Sequence, residues 1–219
     1  MRPTTLSLEH LVREPLVQQK RPPVLFMLHG YGSNEEDLFS FAQEMPAELF
    51  IISIRAPYDL DPFGHAWYAI NFDAEFGKWS DDGQAKESLK KITTFIDEAC
   101  DVYHLDSDNI TLLGFSQGTI LGYALTLSYP EKIKNLVALS GYINPNIFVD
   151  AYQDNDFSNL AIYASHGTVD QVIPLEWAQK TPDFLNGLKI SHVYEEFPVG
   201  HGVCPDNFYS FKAWLAAKI

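Results

Sequence analysis

Short apolar runs alternate with segments of helical periodicity along most of this chain. Runs such as PPVLFMLHG and ELFIISIRAP are continuously apolar, which is typical of strands buried on both faces. Further strands are predicted in DNITLLGFSQG, IKNLVALSGYI, NLAIYASHG and KISHVYEEFP, and helices in NEEDLFSFAQEM, GQAKESLKKITTFIDEACDVYHL, TILGYALTLSYP, IPLEWAQKTPDFLNG and PDNFYSFKAWLAAKI. The alternation predicts an α/β fold with a mostly parallel central sheet, helices on both faces, and a single domain over residues 1–219.

Two stretches depart from this alternation. PTTLSLEHLV and EPLVQQK are predicted to form the short edge strands of a hairpin. Residues 57–83 are interpreted as an aromatic loop, whose rings would form an exposed apolar patch if they were left in water. The rings therefore either cover the sheet or line a binding pocket. They belong to Tyr58, Phe63, Trp67, Tyr68, Phe72, Phe76 and Trp79.

The charge balance limits the kinds of partner. The chain carries 15 Lys and Arg against 29 Asp and Glu, a net charge of -14, which repels nucleic-acid backbones and anionic lipid heads. No apolar run reaches about 18 residues and the N-terminus lacks a signal-peptide core, so we expect no stable membrane insertion and a cytoplasmic protein. With 2 cysteines and no ligand-spaced His/Cys cluster, we expect reduced thiols and no metal.

The pentapeptide GFSQG lies where a predicted strand meets a predicted helix. Ser116 is flanked by Gly114 and Gly118, and G-x-S-x-G in this context is the pattern of a nucleophile elbow. The glycines allow the helix and the strand to approach closely, and the turn exposes the serine hydroxyl at the sheet edge. Ser116 is therefore the candidate nucleophile.

A serine nucleophile needs a histidine base and an acid, which follow in the order Ser, acid, His in this kind of site. Asp170 and His201 each come directly after a predicted strand and before a helix, at the edge where Ser116 must lie. His166 precedes the acid and is too early for the base, whereas His65, in the aromatic loop, is a candidate substrate contact. Other carboxylates remain open as the acid: Glu176, Glu195, Glu196 and Asp206.

An oxyanion hole needs two backbone N–H donors. Gln117 follows the nucleophile and supplies one, at the start of a helix. The loop HGYGS supplies the other, for which we predict Tyr31, with Gly30 turning the backbone inward and His29 anchoring the loop. HGYGS has neither of the glycine spacings of nucleotide-binding loops, so a phosphate site is disfavoured.

The motifs LHGYGSNEEDL, GFSQG, HGTVDQVIP and GHGV, in this order from about residue 23 to the C-terminus, resemble the phospholipase/carboxylesterase family of the α/β-hydrolase superfamily. That family includes the acyl-protein thioesterases. The resemblance implies the α/β-hydrolase fold, and PFGHAWY implies that Trp67 and Tyr68 line the acyl pocket. Tyr31, Gly32 and Ser33 stand where thioesterase-type members usually have Leu-Gly-Asp, and no long lid is inserted between residues 141 and 160.

The residues and the resemblance together imply a serine esterase acting on small to medium acyl esters, or thioesters, through an acyl-enzyme. Ser116 attacks, His201 transfers the proton, and Asp170 orients His201. The expected partner is a small-molecule acyl ester, and no metal or organic cofactor is needed. Lysophospholipase or acyl-protein thioesterase activity, a serine peptidase and a catalytically silent binding protein of this fold remain alternatives. The sequence does not indicate the natural substrate or the oligomeric state.

Overall fold

The computed structural model describes residues 6–62, 64–73 and 77–219, and over these residues it shows a seven-stranded sheet and two small hairpins. In chain order the strands are β1 (His10–Arg13), β2 (Val24–Leu28), β3 (Phe50–Ile54), β4 (Tyr58–Asp59), β5 (His65–Ala66), β6 (Ile70–Asp73), β7 (Gly77–Ser80), β8 (Ile110–Phe115), β9 (Asn135–Leu139), β10 (Ala161–Gly167) and β11 (Ser191–Phe197). The main sheet has the order β1-β3-β2-β8-β9-β10-β11. β1 is antiparallel to β3, and the other neighbouring pairs are parallel, which confirms the predicted mostly parallel sheet.

Helices follow the strands of the main sheet. In the described part of the chain they are α1 (Glu36–Phe39), α2 (Asp82–Tyr103), α3 (Gln117–Ser128), α4 (Leu175–Ala178), α5 (Thr181–Gly187) and α6 (Pro205–Ala216), with 3₁₀ turns at Ala42–Glu44, Pro145–Ile147 and Tyr152–Asp154. None of the helices in the described ranges is at once long and apolar enough to span a bilayer.

The central strands of the sheet are buried on both faces because they are almost entirely apolar. Along β2, Val24 and Phe26 pack into one core with side chains of α2 and α3. Leu25 and Met27 point to the opposite face and pack with side chains of α1 and α6. Since successive side chains of a strand point to opposite faces, one continuous apolar run serves both cores.

The carboxyl ends of four strands of this parallel sheet lie along one edge. The loop after β2 contains Gly30 and Tyr31, and the turn after β8 contains Ser116. Asp170 follows β10 and His201 follows β11. This edge is where ligands bind in open α/β sheets, and it is where the candidate residues meet.

The predicted N-terminal hairpin is wrong. β1 pairs with β3, in a register that places His10 opposite Ile54, so its partner is the main sheet. Residues 14–20, all described, form no strand, and the Leu16 and Val17 side chains in EPLVQQK are exposed. Pro15 has no amide hydrogen to donate to a ladder, which disfavours a strand there. Residues 3–5 of PTTLSLEHLV lie outside the described residues.

The aromatic stretch is more regular than the predicted loop. β4 pairs with β5 and β6 pairs with β7, each as an antiparallel hairpin. Trp67 and Tyr68, which lie between the hairpins, are buried. Phe63 and Phe76 lie outside the described residues, as do the side chains of Phe72 and Trp79.

Two predicted helices are shorter or interrupted. NEEDLFSFAQEM forms α1 followed by the 3₁₀ turn Ala42–Glu44, and IPLEWAQKTPDFLNG forms α4 and α5 rather than one helix. Pro182 lies in the first turn of α5, where a missing amide hydrogen costs nothing. Within one continuous helix the same proline would remove a hydrogen bond and clash with the preceding turn.

Candidate active site

Ser116 stands in the turn that joins β8 to α3. Its backbone has φ 54° and ψ −116°, a conformation that non-glycine residues rarely adopt. The Ser116 N–H donates to Leu139 O at 2.9 Å, which ties the turn to the end of β9. The strained backbone is the expected geometry of a nucleophile elbow.

The flanking glycines are required by close backbone contacts. A Cβ atom on Gly118 would lie 2.0 Å from Leu28 O, and one on Gly114 would lie 2.6 Å from the backbone of Gly118. Any side chain at either position would push α3 away from β2 and β8. The spacing G-x-S-x-G is thus a packing requirement of the tight turn.

Ser116, His201 and Asp170 form a continuous hydrogen-bonded chain. Ser116 Oγ lies 2.9 Å from His201 Nε2, and His201 Nδ1 lies 2.7 Å from Asp170 Oδ2. An ionised carboxylate can only accept, so the hydrogen is assigned to Nδ1, and the lone pair of Nε2 faces the serine hydroxyl. The three side chains therefore have the arrangement in which the imidazole can take a proton from serine.

The Asp170 carboxylate is held by three donors. Its side chain has no exposed surface, and its Oδ1 accepts from Val172 N at 2.8 Å and from Ile173 N at 3.0 Å. Burial acts to raise the pKa of Asp170, but the hydrogen bonds from His201, Ile173 and Val172 outweigh it, so the pKa lies below its ordinary value. Asp170 is therefore held as a carboxylate facing His201.

The other candidate acids lie in different surroundings. Glu195 accepts from Tyr163 Oη at 2.7 Å and also from Ser210 Oγ, and Glu196 accepts from Gln179 at 2.9 Å. Glu176 and Asp206 lie in the first turns of α4 and α6. Among the described residues, Asp170 is the carboxylate bonded to His201.

His166 is a contact of the site that sequence reasoning set aside. Its side chain is fully buried, and its Nε2 lies 3.0 Å from Ile173 O and 3.4 Å from Asp170 Oδ2. It stands four residues before Asp170, at the end of β10, so the loop turns the aspartate back over it. The sequence excludes His166 as the base, but the four-residue spacing of histidine and aspartate in HGTVD is a signal for a contact with the acid.

The loop after β2 carries the predicted oxyanion donor. Gly32 N donates to His65 O at 2.9 Å and Ser33 N donates to Gly30 O at 3.3 Å. Among the backbone hydrogen bonds of the described residues, none is donated by the Tyr31 N–H. Gln117 is the first residue of α3, and the amides of the first turn of a helix have no acceptor within the helix. The structure thus places both residues beside Ser116, on the wall of one cavity.

His29 anchors this loop, as expected. Its Nδ1 lies 2.8 Å from Gly30 O, and its Nε2 accepts from Ala56 N at 3.0 Å, which assigns the hydrogen to Nδ1. Burial, opposed in part by the bond to Gly30, lowers the pKa of His29, in agreement with a neutral ring. His29 therefore links the ends of β2 and β3 beneath the loop.

Trp67 does not reach the cavity that it was expected to line. It is fully buried, and its indole N–H donates to His29 O at 2.8 Å. Its backbone N–H donates to Gln117 Oε1 at 2.8 Å, and Gln117 Nε2 donates to Tyr68 O at 2.8 Å. The indole N–H needs an acceptor when it is buried, so Trp67 packs behind the wall and braces it.

His65 also lies away from this cavity. Its backbone bonds to Gly32 and Ser33, and its Nδ1 lies 3.0 Å from Asp59 Oδ1. The ring lines a different depression, with Arg55 among its neighbours. The substrate contact expected of His65 therefore has no support in its placement, because the β4–β5 hairpin holds the ring on the other side of the loop.

The cavity beside Ser116 has a volume of about 790 Å³. Tyr68 is among the lining residues, although most of its side chain is covered. Ser116, His201, Tyr31 and Gln117 also line the cavity. The rest of the lining consists of Ile70, Ser80, Asp82, Ile120, Tyr142, Asn144, Asn146, Val172, Ile173, Pro174 and Trp177. A mostly apolar cleft with a few polar groups suits a small organic ligand.

Comparison with known proteins gives consistent results. A family model described as phospholipase/carboxylesterase matches residues 13–219. Acyl-protein thioesterase 1 of Mycosarcoma maydis is 24% identical over 97% of this chain and 98% of its own length. That of Kluyveromyces lactis is 29% identical over 80% and 81%. The Bacillus cereus carboxylesterase structure superposes with a TM-score of 0.82, at 21% identity, over 97% of this chain and 95% of its own, which shows the shared fold.

Proposed function

The chain belongs to the phospholipase/carboxylesterase family and is a carboxylic ester hydrolase, and from that premise we propose that Ser116, His201 and Asp170 are its catalytic triad. The observation that carries the proposal is the pair of hydrogen bonds that join the three side chains, 2.9 Å and 2.7 Å long. The strained backbone of Ser116, at φ 54°, supports the same assignment.

In the proposed first step, Ser116 Oγ attacks the acyl carbon while His201 Nε2 takes the hydroxyl proton. Asp170 stabilises the resulting imidazolium, for which its ionised carboxylate is suited. The N–H groups of Tyr31 and Gln117 stabilise the charge that develops on the carbonyl oxygen. His201 then gives the proton to the leaving alcohol or thiol, and an acyl-enzyme remains on Ser116.

In the second step water replaces the alcohol. His201 removes a proton from this water, the hydroxide attacks the acyl-enzyme, and the collapse of the second tetrahedral intermediate releases the carboxylic acid. The proton returns to Ser116 Oγ. Both steps use the same imidazole nitrogen and the same two backbone donors.

We further propose that the substrates are small to medium acyl esters or thioesters. The cavity of about 790 Å³ has room for such a group, and Ile120, Ile173 and Tyr142 offer it apolar surface. Action on acyl-protein thioesters is the second candidate, favoured by relatives that bear the name acyl-protein thioesterase 1. The values of kcat/KM for S-acyl peptides and for small S-acyl thioesters and 4-nitrophenyl esters of the same acyl chain length distinguish the two.

The decisive test is the Ser116→Ala variant. We expect it to fold and to lose on the order of 10⁴-fold in kcat, because the base then has no hydroxyl to activate. A fluorophosphonate should label the wild type once, at Ser116. The matched control is Ser140→Ala, which makes the same change at a second buried serine with positive φ, at the end of β9. Labelling of another serine, or full activity of Ser116→Ala, would contradict the triad.

The same experiment separates the remaining alternatives. A catalytically silent binding protein would neither hydrolyse the esters nor take the label. A serine peptidase would take the label and cleave a peptide anilide faster than a short ester. We expect labelling together with ester hydrolysis and negligible anilide cleavage.

A further inference from the structure

One wall of the proposed catalytic cavity carries a carboxylate. Asp82, the first residue of α2, lines the cavity together with Ser80, Asn144 and Asn146. Asp82 is partly exposed and lines the cavity, so it is accessible to an occupant of the cavity. None of the described lining residues is lysine or arginine. This wall therefore presents a negative charge and neutral polar groups to a substrate.

One side-chain contact orients the Asp82 carboxylate, and most of its capacity to accept hydrogen bonds remains free. Asn144 Oδ1 accepts from Asn146 N at 3.2 Å, which fixes the amide orientation, and Asn144 Nδ2 then points to Asp82 Oδ1 at 3.4 Å. The helix cap is supplied instead by Asp81, whose side chain accepts from Gln84 N at 2.9 Å. A carboxylate has room for about four hydrogen bonds, so Asp82 retains accepting capacity toward the cavity.

Aromatic rings stand on the same wall. Tyr68, Tyr142 and Trp177 line the cavity. The rings of Tyr142 and Trp177 pack edge to face, with their centroids 5.0 Å apart. Burial raises the pKa of both tyrosines, and the negative charge of Asp82 adds to the rise. The cavity lining thus combines aromatic side chains with one anion.

We propose that Asp82, with the aromatic rings beside it, selects esters that carry a positively charged ammonium group. Rings and a carboxylate are the two groups that attract such a cation, through the quadrupole of the ring and through Coulomb interaction. The net charge of -14 adds a long-range attraction in the same direction. An ester that carries a free carboxylate is disfavoured, because Asp82 repels it. The inference rests on the proposed function, because it concerns the substrate of the proposed triad.

The test compares two esters of equal shape. Butyrylcholine and 3,3-dimethylbutyl butyrate differ in that a quaternary nitrogen replaces a carbon. Their ratio of kcat/KM, divided by the ratio of their hydroxide-catalysed rates, measures recognition of the charge apart from the intrinsic reactivity of the ester. At low ionic strength we expect the wild type to favour butyrylcholine by roughly three- to ten-fold, and added salt to reduce the ratio. Monobutyl succinate, the anionic probe, should be the poorest of the three.

The informative variant is Asp82→Asn, which keeps the shape and removes the charge. We expect its ratio to fall toward one, because kcat/KM for butyrylcholine falls by a larger factor than kcat/KM for the neutral ester. Tetramethylammonium should inhibit neutral-ester hydrolysis by the wild type more strongly than by Asp82→Asn. The matched control, Asp183→Asn, removes a charge from the first turn of α5, away from the cavity, and should leave the ratio unchanged.

The outcomes separate this inference from the proposed function. Neutral-ester hydrolysis that depends on Ser116, combined with a ratio that Asp82→Asn does not change, would overturn the cation selectivity and leave the triad standing. Absence of Ser116-dependent turnover of both esters would overturn the triad and the inference with it. An equal thermal midpoint for Asp82→Asn and the wild type excludes unfolding as the cause of a lost ratio.

Discussion

Among single residues, Asp170 shows how a buried carboxylate is kept charged. Donors surround both of its oxygens, from His201 on one side and from the amides of Val172 and Ile173 on the other. His166 lies beneath it, with Nε2 at 3.4 Å from Oδ2. The position of the carboxylate is thus set by its own loop and by the end of β10, and substrate is not needed to order it.

We expect Asp170→Asn to lower kcat by about 10³- to 10⁴-fold, because an amide cannot stabilise an imidazolium and favours the wrong tautomer of His201. Steady-state hydrolysis of 4-nitrophenyl acetate measures the loss. Glu195→Gln is the matched control and should keep near wild-type kcat, since Glu195 bonds to Tyr163 and Ser210. The reverse result would assign the acid to Glu195.

The lowered pKa of Asp170 also predicts a pH dependence of stability. A carboxyl whose pKa is lower in the folded state stabilises the fold above its unfolded value, about pH 4, and loses this contribution as the pH falls through the folded value. The difference in unfolding free energy between the wild type and Asp170→Asn should therefore shrink in acid. Denaturant titrations at pH 7 and at about pH 3 measure it.

Trp67 braces the wall of the cavity from behind, so its removal should act on stability. Trp67→Phe keeps a ring but leaves His29 O without its indole donor, and we expect a loss of about 1–3 kcal/mol in unfolding free energy. Acetate and hexanoate esters should be affected equally. Trp177→Ala is the contrasting variant: Trp177 is 45% exposed and lines the cavity, so hexanoate should lose more than acetate while stability changes little. If Trp67→Phe lowered the hydrolysis of hexanoate more than that of acetate, Trp67 would be a residue of the acyl pocket.

At the scale of elements, the strand–turn–helix unit around Ser116 depends on a backbone contact between α3 and β2. Gly118→Ala would place a Cβ atom 2.0 Å from Leu28 O, so the helix must shift. We expect a loss of about 1–3 kcal/mol in unfolding free energy and a marked fall in kcat. Thermal melts and ester hydrolysis measure both. Gly187→Ala is the control, because nothing lies within 4 Å of its added Cβ, and it should be neutral or slightly stabilising.

Elements whose signal is local could be predicted from the sequence. β2 is apolar at every position, and β3 and β9 are apolar except at Ser53 and Asn135. Ser116, Asp170 and His201 each follow a different one of the predicted strands. Pairing partners and distant contacts carry no such signal. β1 pairs with β3, some 40 residues away, and the indole of Trp67 bonds to an oxygen 38 residues away. The break between α4 and α5 does have a local signal, because Pro182 disfavours one continuous helix.

At the scale of the whole molecule, both cores are built on the same strands. Phe26 belongs to one core and Met27 to the other, so loosening either face exposes side chains of β2. We propose that the chain unfolds as a single domain, and we expect the far-ultraviolet signal, the near-ultraviolet signal and esterase activity to be lost in one coincident transition in urea. Two separated transitions would show that the faces unfold independently.

The proposed triad is assembled from three strand ends, and its side chains are far apart along the chain. Ser116 and His201 are 85 residues apart, and Asp170 and His201 are 31 apart. During refolding, local helices form before such distant segments meet. Ester hydrolysis should thus return only after β10 and β11 have paired beside β9. The lag before product appears, after dilution from denaturant, therefore measures the time at which these strands join the sheet.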